Sequence, residues 1–161
     1  MQKFIEMRKK LVALALEWQE RYGVAPSVTP ALSECDAAIL LVSMPEGEYS
    51  KYMQPRTAVS EGHDFEFNGK KYQIKAHRPS GKPGSNITNV GNAQQKDSKT
   101  GEYKWDFLIW IRYNKNYRVE EAWEFNKSSY GQEFGDREGK RLSPEDMRKG
   151  RRMDVPNEIS A

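Results

Sequence analysis

The feature that most constrains this fold is the segment "HDFEFNGKKYQIKAH", residues 63–77, where apolar and polar residues alternate on either side of an Asn-Gly pair. Asn and Gly both tolerate the positive φ of a two-residue type I′ turn, so the pattern predicts a β-hairpin with Asn68 and Gly69 at its tip. This turn fixes the register of the two strands. It places Asp64 opposite Gln73 and Phe65 opposite Tyr72.

The predicted hairpin has one apolar and one polar face, because successive side chains of a strand point to opposite sides. The apolar face is expected to lie in the core and holds Phe65, Phe67, Tyr72, Ile74 and Ala76. The polar face holds Asp64, Glu66, Lys71, Gln73, Lys75 and His77. Residues opposite each other have Cβ atoms about 5 Å apart. A carboxylate (Asp64), an amide (Gln73) and an amine (Lys75) are therefore predicted to cluster.

Two helices and two further strands are predicted around this hairpin. Residues 2–21 place Phe4, Met7, Leu11, Leu14 and Trp18 on one apolar stripe, which we expect to pack in the core. A second helix is expected from Thr29, as N-cap, and Pro30 to Met44, before Pro45. Residues 105–113 and 117–125 read as strands. The first of these is apolar on both faces, so we expect a mixed α/β domain, its central mixed β-sheet covered by helices on both sides.

Length and composition indicate one domain spanning residues 1–161. The net charge is only +3, from 26 basic and 23 acidic residues, which is a weak indication of anionic partners. A single cysteine, Cys35, allows no intramolecular disulfide, and the N-terminus lacks the apolar core of a signal peptide. No apolar run approaches the roughly 20 residues that span a bilayer. We therefore expect a cytoplasmic location and no membrane partner.

Two polar segments are candidates for contact with a nucleic acid. After the hairpin, Arg78 and Lys82 suit phosphates, and hydrogen bonds to the backbone or bases are expected from Ser80, Ser85, Asn86 and Asn89. The other interpretation is a solvated loop. The basic C-terminal extension, about residues 130–161, includes "SPEDMRKGRRM", which predicts a short helix capped by Ser143 with acidic residues first and basic residues last. It suits either DNA phosphates or an ordinary charged surface, and the sequence leaves both open.

The arrangement of "SECDAA" on an early helix, Asp64 at a hairpin, "QIK" on the next strand and the following strand "WDFLIW" resembles the PD-(D/E)xK nuclease superfamily. More narrowly, it is similar to the catalytic domain of restriction-type endonucleases, over roughly residues 27–125. Two positions depart from the usual pattern. His63 stands where a Pro usually precedes the Asp, and Gln73 replaces the acidic residue.

The resemblance implies a restriction-endonuclease-like core and a Mg²⁺-dependent endonuclease, active also with Mn²⁺, that hydrolyses double-stranded DNA. It implies four catalytic residues: Glu34, Asp64, Gln73 and Lys75. The first three would hold the metal, and Lys75 would position or deprotonate the attacking water. A homodimer is one option for the assembly. Two alternatives remain, namely an inactive DNA-binding or inhibitory module that keeps the fold, and a protein-interaction domain with a solvated polar sheet face.

Overall fold

The computed structural model describes residues 2–41, 62–79, 88–94, 96–135 and 141–160. Its helices are α1 (Gln2–Tyr22), α2 (Thr29–Leu40), α3 (Lys127–Phe134), α4 (Pro144–Met147) and α5 (Asn157–Ser160), with a 3₁₀ turn at Gly91–Gln94. Its strands are β1 (Phe65–Phe67), β2 (Lys70–His77), β3 (Thr88–Asn89), β4 (Phe107–Tyr113), β5 (Val119–Asn126), β6 (Arg141–Leu142) and β7 (Arg151–Arg152). None of the helices in these ranges is long and apolar enough to cross a membrane.

Five strands form one mixed sheet in the order β1-β2-β4-β5-β7. Strands β2 and β4 run parallel, whereas all other neighbours in this sheet are antiparallel. A parallel pair needs a long crossover, and the chain between β2 and β4 includes β3, which pairs with β6 in a separate two-stranded sheet. The predicted class, α/β with a central mixed sheet flanked by helices, is confirmed.

The hairpin has the predicted register, with Phe65 opposite Tyr72. Both turn residues have positive φ, 51° at Asn68 and 69° at Gly69, as a type I′ turn requires. Strand β1 is only three residues long, and its pairing ends where the Asp64 N–H donates to the Tyr72 carbonyl at 2.7 Å. Strand β2 continues for five more residues, to His77. Beyond Tyr72, no strand among the described residues pairs with this edge of β2.

The sheet is covered on both faces, as the sequence of β4 predicts. On one face, Ile109 and Ile111 are fully buried against α2 and α5. On the other face, Leu108 and Trp110 pack with an aromatic cluster that includes Tyr130 of α3. The predicted apolar face of the hairpin lies in the first of these layers, which contains Phe65, Phe67, Tyr72, Ile74 and, partly buried, Ala76.

The packing face predicted for α1 is wrong. The side chains of Met7, Leu14 and Trp18 are 66%, 61% and 50% exposed, whereas the buried residues of this helix are Arg8 and Ala15. The contacts of Arg8 determine how α1 is oriented, because Arg8 binds Asp36 of α2 and the backbone of the β4–β5 connection. The small Ala15 then packs beside Leu32 and Tyr117. Of the predicted core stripe, Met7, Leu14 and Trp18 therefore lie at the surface, and Phe4 and Leu11 are only partly buried.

Two helix boundaries also differ from the predictions. Thr29 is the first residue of α2 and not its N-cap; Val28 precedes it and makes no side-chain cap hydrogen bond. The predicted extension to Met44 lies outside the described residues, since the helix is described to Leu40. Ser143 caps α4 as predicted, in a reciprocal capping box with Asp146. That helix has only four residues, so its last turn carries no basic side chain, contrary to the prediction.

Candidate active site at the open edge of β2

An open cavity of about 320 Å³ lies beside the unpaired edge of β2 and the first turns of α2. Three of the four predicted catalytic side chains line it, each from a different element: Glu34 from α2, Asp64 from the residue before β1, and Lys75 from β2. The other lining residues are Thr29, Pro30, Ser33, Ile74, Ala76 and Asn89. The fold therefore brings a second carboxylate, remote in sequence, to the pair predicted from the hairpin.

Asp64 is held in place by the edge of the strand. Its Oδ2 accepts a hydrogen bond from the Ile74 backbone N–H at 2.5 Å and another from Gln73 Nε2 at 2.5 Å. Because β1 ends so early, the Ile74 N–H lacks the ladder partner that a longer strand would supply, and the carboxylate takes that place. The early end of β1 thus fixes the position of Asp64 in the cavity wall.

Gln73 lies beneath this carboxylate and is 4% exposed. Its amide nitrogen donates to Asp64 and, at 3.3 Å, to the Ile74 carbonyl. An ionised carboxylate only accepts hydrogen bonds, so the nitrogen of the amide and not its oxygen faces Asp64. Gln73 is not among the residues that line the cavity. In this arrangement it contacts Asp64 directly.

Lys75 shares the cavity with Asp64 and is partly buried. Burial lowers the pKa of Lys75, and the negative charge of Asp64 acts in the opposite direction without cancelling that effect. Titratable groups whose pKa is shifted by burial and by a nearby charge are common at functional sites, so Lys75 is a candidate functional residue.

Glu34 reaches the cavity from the second turn of α2, which packs on β2. Pro30 sits at the start of this helix, and Ser33 Oγ donates to the Pro30 carbonyl at 2.8 Å. The following residues Ala37 and Ala38 are buried in the core and anchor the helix on the sheet. The carboxylate of Glu34 is therefore carried by a well-packed helix, not by a loop.

The carboxylates of Glu34 and Asp64 are the charged groups in this cavity that could serve as ligands of a metal ion. No group of three or more His, Cys, Asp or Glu side chains placed to hold a metal occurs in the described part of the chain. Mg²⁺ does not require such a group, because it commonly binds one or two carboxylates and completes its shell with water and substrate phosphate. The two carboxylates fit a hard divalent ion of this kind.

Arg78, predicted to contact phosphates, makes contacts within the protein. Its guanidinium lies 4.1 Å from the ring centre of Tyr117, and its Nη2 donates to Gln19 Oε1 at 2.7 Å. Its Nε donates to the Lys115 carbonyl at 3.0 Å. This residue joins the end of β2 to α1 and to the β4–β5 turn. Of the other predicted DNA contacts, Asn89 lines the cavity, whereas Ser80, Lys82, Ser85 and Asn86 lie outside the described residues.

Several basic residues of the C-terminal extension form ion pairs with the sheet and with α3. Arg148 contacts Glu121 of β5 at 3.1 Å, and Arg151 contacts Glu124 of β5 at 2.9 Å. In α3, Glu133 pairs with Lys149 at 3.1 Å. Of the two interpretations that the sequence left open, these contacts favour a charged surface that stabilises the fold.

A second open cavity, of about 390 Å³, lies near the start of β2 and contains none of the predicted catalytic residues. It is lined by Lys71, Asp97, Thr100, Glu102, Tyr103, Lys104, Trp105, Asp106 and Lys127. Lys127 contacts both Glu102, at 2.7 Å, and Asp106, at 3.9 Å. Lys71 lies on the same strand as Lys75 but lines this second cavity, so a substitution of Lys71 is a matched control for one of Lys75.

No protein-family model matches this chain, and no match was found among curated proteins. A function for the chain is therefore inferred from its own side chains and from the cavity that they line.

Proposed function

We propose that this chain is a metal-dependent endonuclease that hydrolyses phosphodiester bonds of double-stranded DNA. The observation that carries the proposal is the convergence of Glu34, Asp64 and Lys75 on one open cavity. These residues come from three separate elements, and the proposed resemblance to PD-(D/E)xK nucleases expects acidic residues and a lysine together at one site, although Gln73 stands at one of the acidic positions.

The chemistry of phosphodiester hydrolysis explains why these side chains belong together. The reaction needs an attacking water and relief of the negative charge that builds on the phosphate. A bound Mg²⁺ or Mn²⁺ would supply both, by acidifying a water and by neutralising phosphate oxygens. Asp64 and Glu34 would hold the ion.

The remaining residues act on the water and on the carboxylate. Lys75 orients the attacking water and, as an ammonium, stabilises the negative charge that builds in the reaction. Gln73 donates a hydrogen bond to Asp64 and so fixes the carboxylate before any ligand arrives. Preorganisation of this kind is what makes a charged site effective, because no rearrangement is needed during the reaction.

The alternative, an inactive DNA-binding module with the same fold, is supported by one observation. Gln73 is neutral and its amide nitrogen faces Asp64, so the described site contains two carboxylates where the family pattern expects three acidic positions. A lysine kept partly buried next to a carboxylate favours the enzyme, because burial of an amine carries an energetic cost that a non-catalytic site has no reason to retain.

The test is cleavage of supercoiled plasmid by the purified chain in Mg²⁺, in Mn²⁺, in Ca²⁺ and in EDTA. We expect nicking and linearisation in Mg²⁺ or Mn²⁺ and none in EDTA. The decisive comparison is Lys75→Ala with Lys71→Ala, two lysines on the same face of β2. Lys75→Ala should lower the single-turnover rate about 10²-fold to 10³-fold or more, whereas Lys71→Ala should cleave like the unaltered protein.

DNA affinity must be measured on the same samples, at one salt concentration. In Ca²⁺, Lys75→Ala should bind DNA nearly as well as the unaltered chain, since loss of one cation removes only about one counterion from the salt dependence. If the unaltered chain binds DNA in gel shifts but cleaves it in no ion, the inactive module is the correct function. If it neither binds nor cleaves, both proposals fail.

A further inference from the structure

The surface of α1 carries a stripe of large apolar side chains, here called the α1 stripe. It comprises Met7, Leu14, Trp18 and Tyr22, whose side chains are 66%, 61%, 50% and 59% exposed. The rings of Trp18 and Tyr22 lie 4.6 Å apart, so this end of the stripe forms one continuous aromatic surface. Contiguous exposed apolar surface of this kind marks an interaction site, because single exposed apolar residues are common but aligned ones are not.

The spacing of the stripe is that of a helix that pairs with another helix. With the partly buried Phe4 and Leu11, three residues of the stripe (Met7, Leu14 and Trp18) form a series at alternating steps of three and four, which is the pattern of coiled-coil seam positions. Leu11 lies at the boundary, partly buried against the same cluster as Ala15. The seam therefore runs along the border of the buried face of α1.

The charges beside the seam select the partner and its direction. Lys10 and Glu17 lie at equivalent positions, each one residue before a seam residue, and both are exposed. In an antiparallel pair of α1 helices these positions face each other, so Lys10 of each copy lies opposite Glu17 of the other copy. A second copy of the same helix is thus complementary in charge at these positions.

We propose that the α1 stripe is a homodimer interface, in which α1 of one copy packs antiparallel to α1 of a second copy. The two-fold axis passes between Leu11 and Leu14, which brings Met7 of each copy against Trp18 of the other. Antiparallel packing also sets the positive end of each helix dipole beside the negative end of the other. This inference does not depend on the proposed nuclease function.

The size of the stripe predicts a weak dimer. A stable interface buries about 800 Å² on each partner, whereas one helix of 21 residues offers a single narrow seam. We therefore expect reversible association with a dissociation constant in the micromolar range. Analytical ultracentrifugation of the full chain across a concentration series should show monomer converting to dimer.

The first variant disrupts the apolar seam and leaves the core residues unchanged. Leu14→Glu places a charge at an exposed position, so the fold should survive, as circular dichroism and the melting temperature would show. Its dissociation constant should rise at least 10-fold to 100-fold. Ala13→Glu is the matched control, because Ala13 is also exposed but lies outside the stripe, and its dimer should be unchanged.

Charge reversal tests the direction of packing. Lys10→Glu and Glu17→Lys should each weaken the homodimer, since each creates two like-charged contacts. An equimolar mixture of the two variants should form a heterodimer more strongly than either forms a homodimer, because both contacts become attractive again. Lys9→Glu and Glu20→Lys, reversals at exposed positions of α1 outside the seam, are the controls and should associate normally.

Three results would overturn the proposal. The first is a monomer at every concentration up to about 1 mM. The second is a dimer that Leu14→Glu leaves intact, which would locate the interface elsewhere. The third is a dimer in which the mixed charge variants fail to restore association, which would exclude the antiparallel pairing. In the first case, co-sedimentation of the monomer with lipid vesicles would assign the stripe to a membrane surface.

Discussion

The guanidinium of Arg8 in α1 donates two hydrogen bonds to the carboxylate of Asp36 in α2, from Nε to Oδ1 at 2.5 Å and from Nη2 to Oδ2 at 2.9 Å. Both side chains are buried, with exposures of 6% and 0%. Burial alone lowers the pKa of Arg8, but the hydrogen bond and the charge of Asp36 outweigh burial and raise that pKa. Tyr113 Oη donates to the same carboxylate at 2.7 Å, so three elements meet at Asp36.

Removal of one partner should leave a buried charge unpaired. We expect Asp36→Ala to lower the free energy of unfolding by about 3–5 kcal/mol, as measured by urea denaturation. Arg8→Met combined with Asp36→Leu should recover most of that loss, because the pair is replaced by apolar groups of similar volume. A loss below about 1 kcal/mol in Asp36→Ala would show that the pair does not hold α1 on α2.

Asp64 has a structural and a proposed catalytic role, and two substitutions should separate them. Asp64→Asn keeps an oxygen that can accept the Ile74 N–H but loses the charge, so the melting temperature should change little while binding of Mn²⁺ and cleavage are lost. Asp64→Ala also leaves the Ile74 N–H without this acceptor and should cost about 1–3 kcal/mol of stability. Calorimetric titration with Mn²⁺ that is unaltered in Asp64→Asn would remove Asp64 from the metal site.

Gln73→Glu places a second carboxylate within hydrogen-bond distance of Asp64. Without a divalent ion, two like charges at this distance should raise the apparent pKa of the pair above the roughly 4 of a carboxyl in the unfolded chain. The folded chain then binds more protons, so the stability of this variant should fall as the pH rises from 5 to 8.

A divalent ion should relieve the repulsion in the same variant. Addition of Mg²⁺ or Mn²⁺ should raise the melting temperature of Gln73→Glu more than that of the unaltered chain, by linkage of binding to folding. Gln94→Glu, a partly buried position on the 3₁₀ turn and not part of the cavity lining, is a suitable control. Equal ion dependence in all three proteins would place the ion away from position 73.

The partly buried, charged amine of Lys75 should destabilise the folded chain. Its pKa is lowered below 10.5 because burial disfavours the charged amine. Between that lowered value and 10.5 the unfolded chain binds more protons, so the contribution of Lys75 to stability rises with pH across this window, and the full cost is present below it. Lys75→Met should therefore stabilise the fold at pH 7, by about 0.5–1 kcal/mol, and abolish cleavage. A destabilised Lys75→Met would mean that the amine contributes more by pairing than burial costs.

The hairpin was predictable because its rules are local. The Asn68-Gly69 pair determines the turn, the turn determines the register, and the register determines which side chains share a face. The cluster of Asp64, Gln73 and Lys75 followed from that reasoning alone. The place of Glu34 in the same cavity depends on how α2 packs, so the residues alone did not give it, and only the family resemblance suggested it.

The packing of α1 was not predictable from its pattern, because the helix has apolar residues on more than one face. Ile5, Val12 and Leu16 are partly buried, whereas Met7, Leu14 and Trp18 of the more regular stripe are exposed. The choice between these faces rests on the contact between Arg8 and Asp36, two residues separated by 28 positions. A periodic pattern gives no information about such a distant partner.

The ion pairs of the basic C-terminal side chains could not be predicted for a similar reason. Arg148 and Arg151 pair with Glu121 and Glu124 only because β7 and the turn before it lie beside β5. Helix α3 was missed although its cap is local, since Asn126 accepts a hydrogen bond from the Ser129 N–H at 2.8 Å. An Asn followed three residues later by Ser directly after a strand was a signal that could have been used.

The early end of β1 has a consequence for how the protein behaves in a crowded solution. An unpaired strand edge attracts strands from other molecules, and this is a common route to aggregation. The Asp64 carboxylate occupies the Ile74 N–H, and Gln73 donates to the Ile74 carbonyl, so both backbone groups that an incoming strand would need first are already bonded. Asp64 and Gln73 thus protect this edge from strands of other molecules, and their replacement by alanine should lower the solubility of the protein.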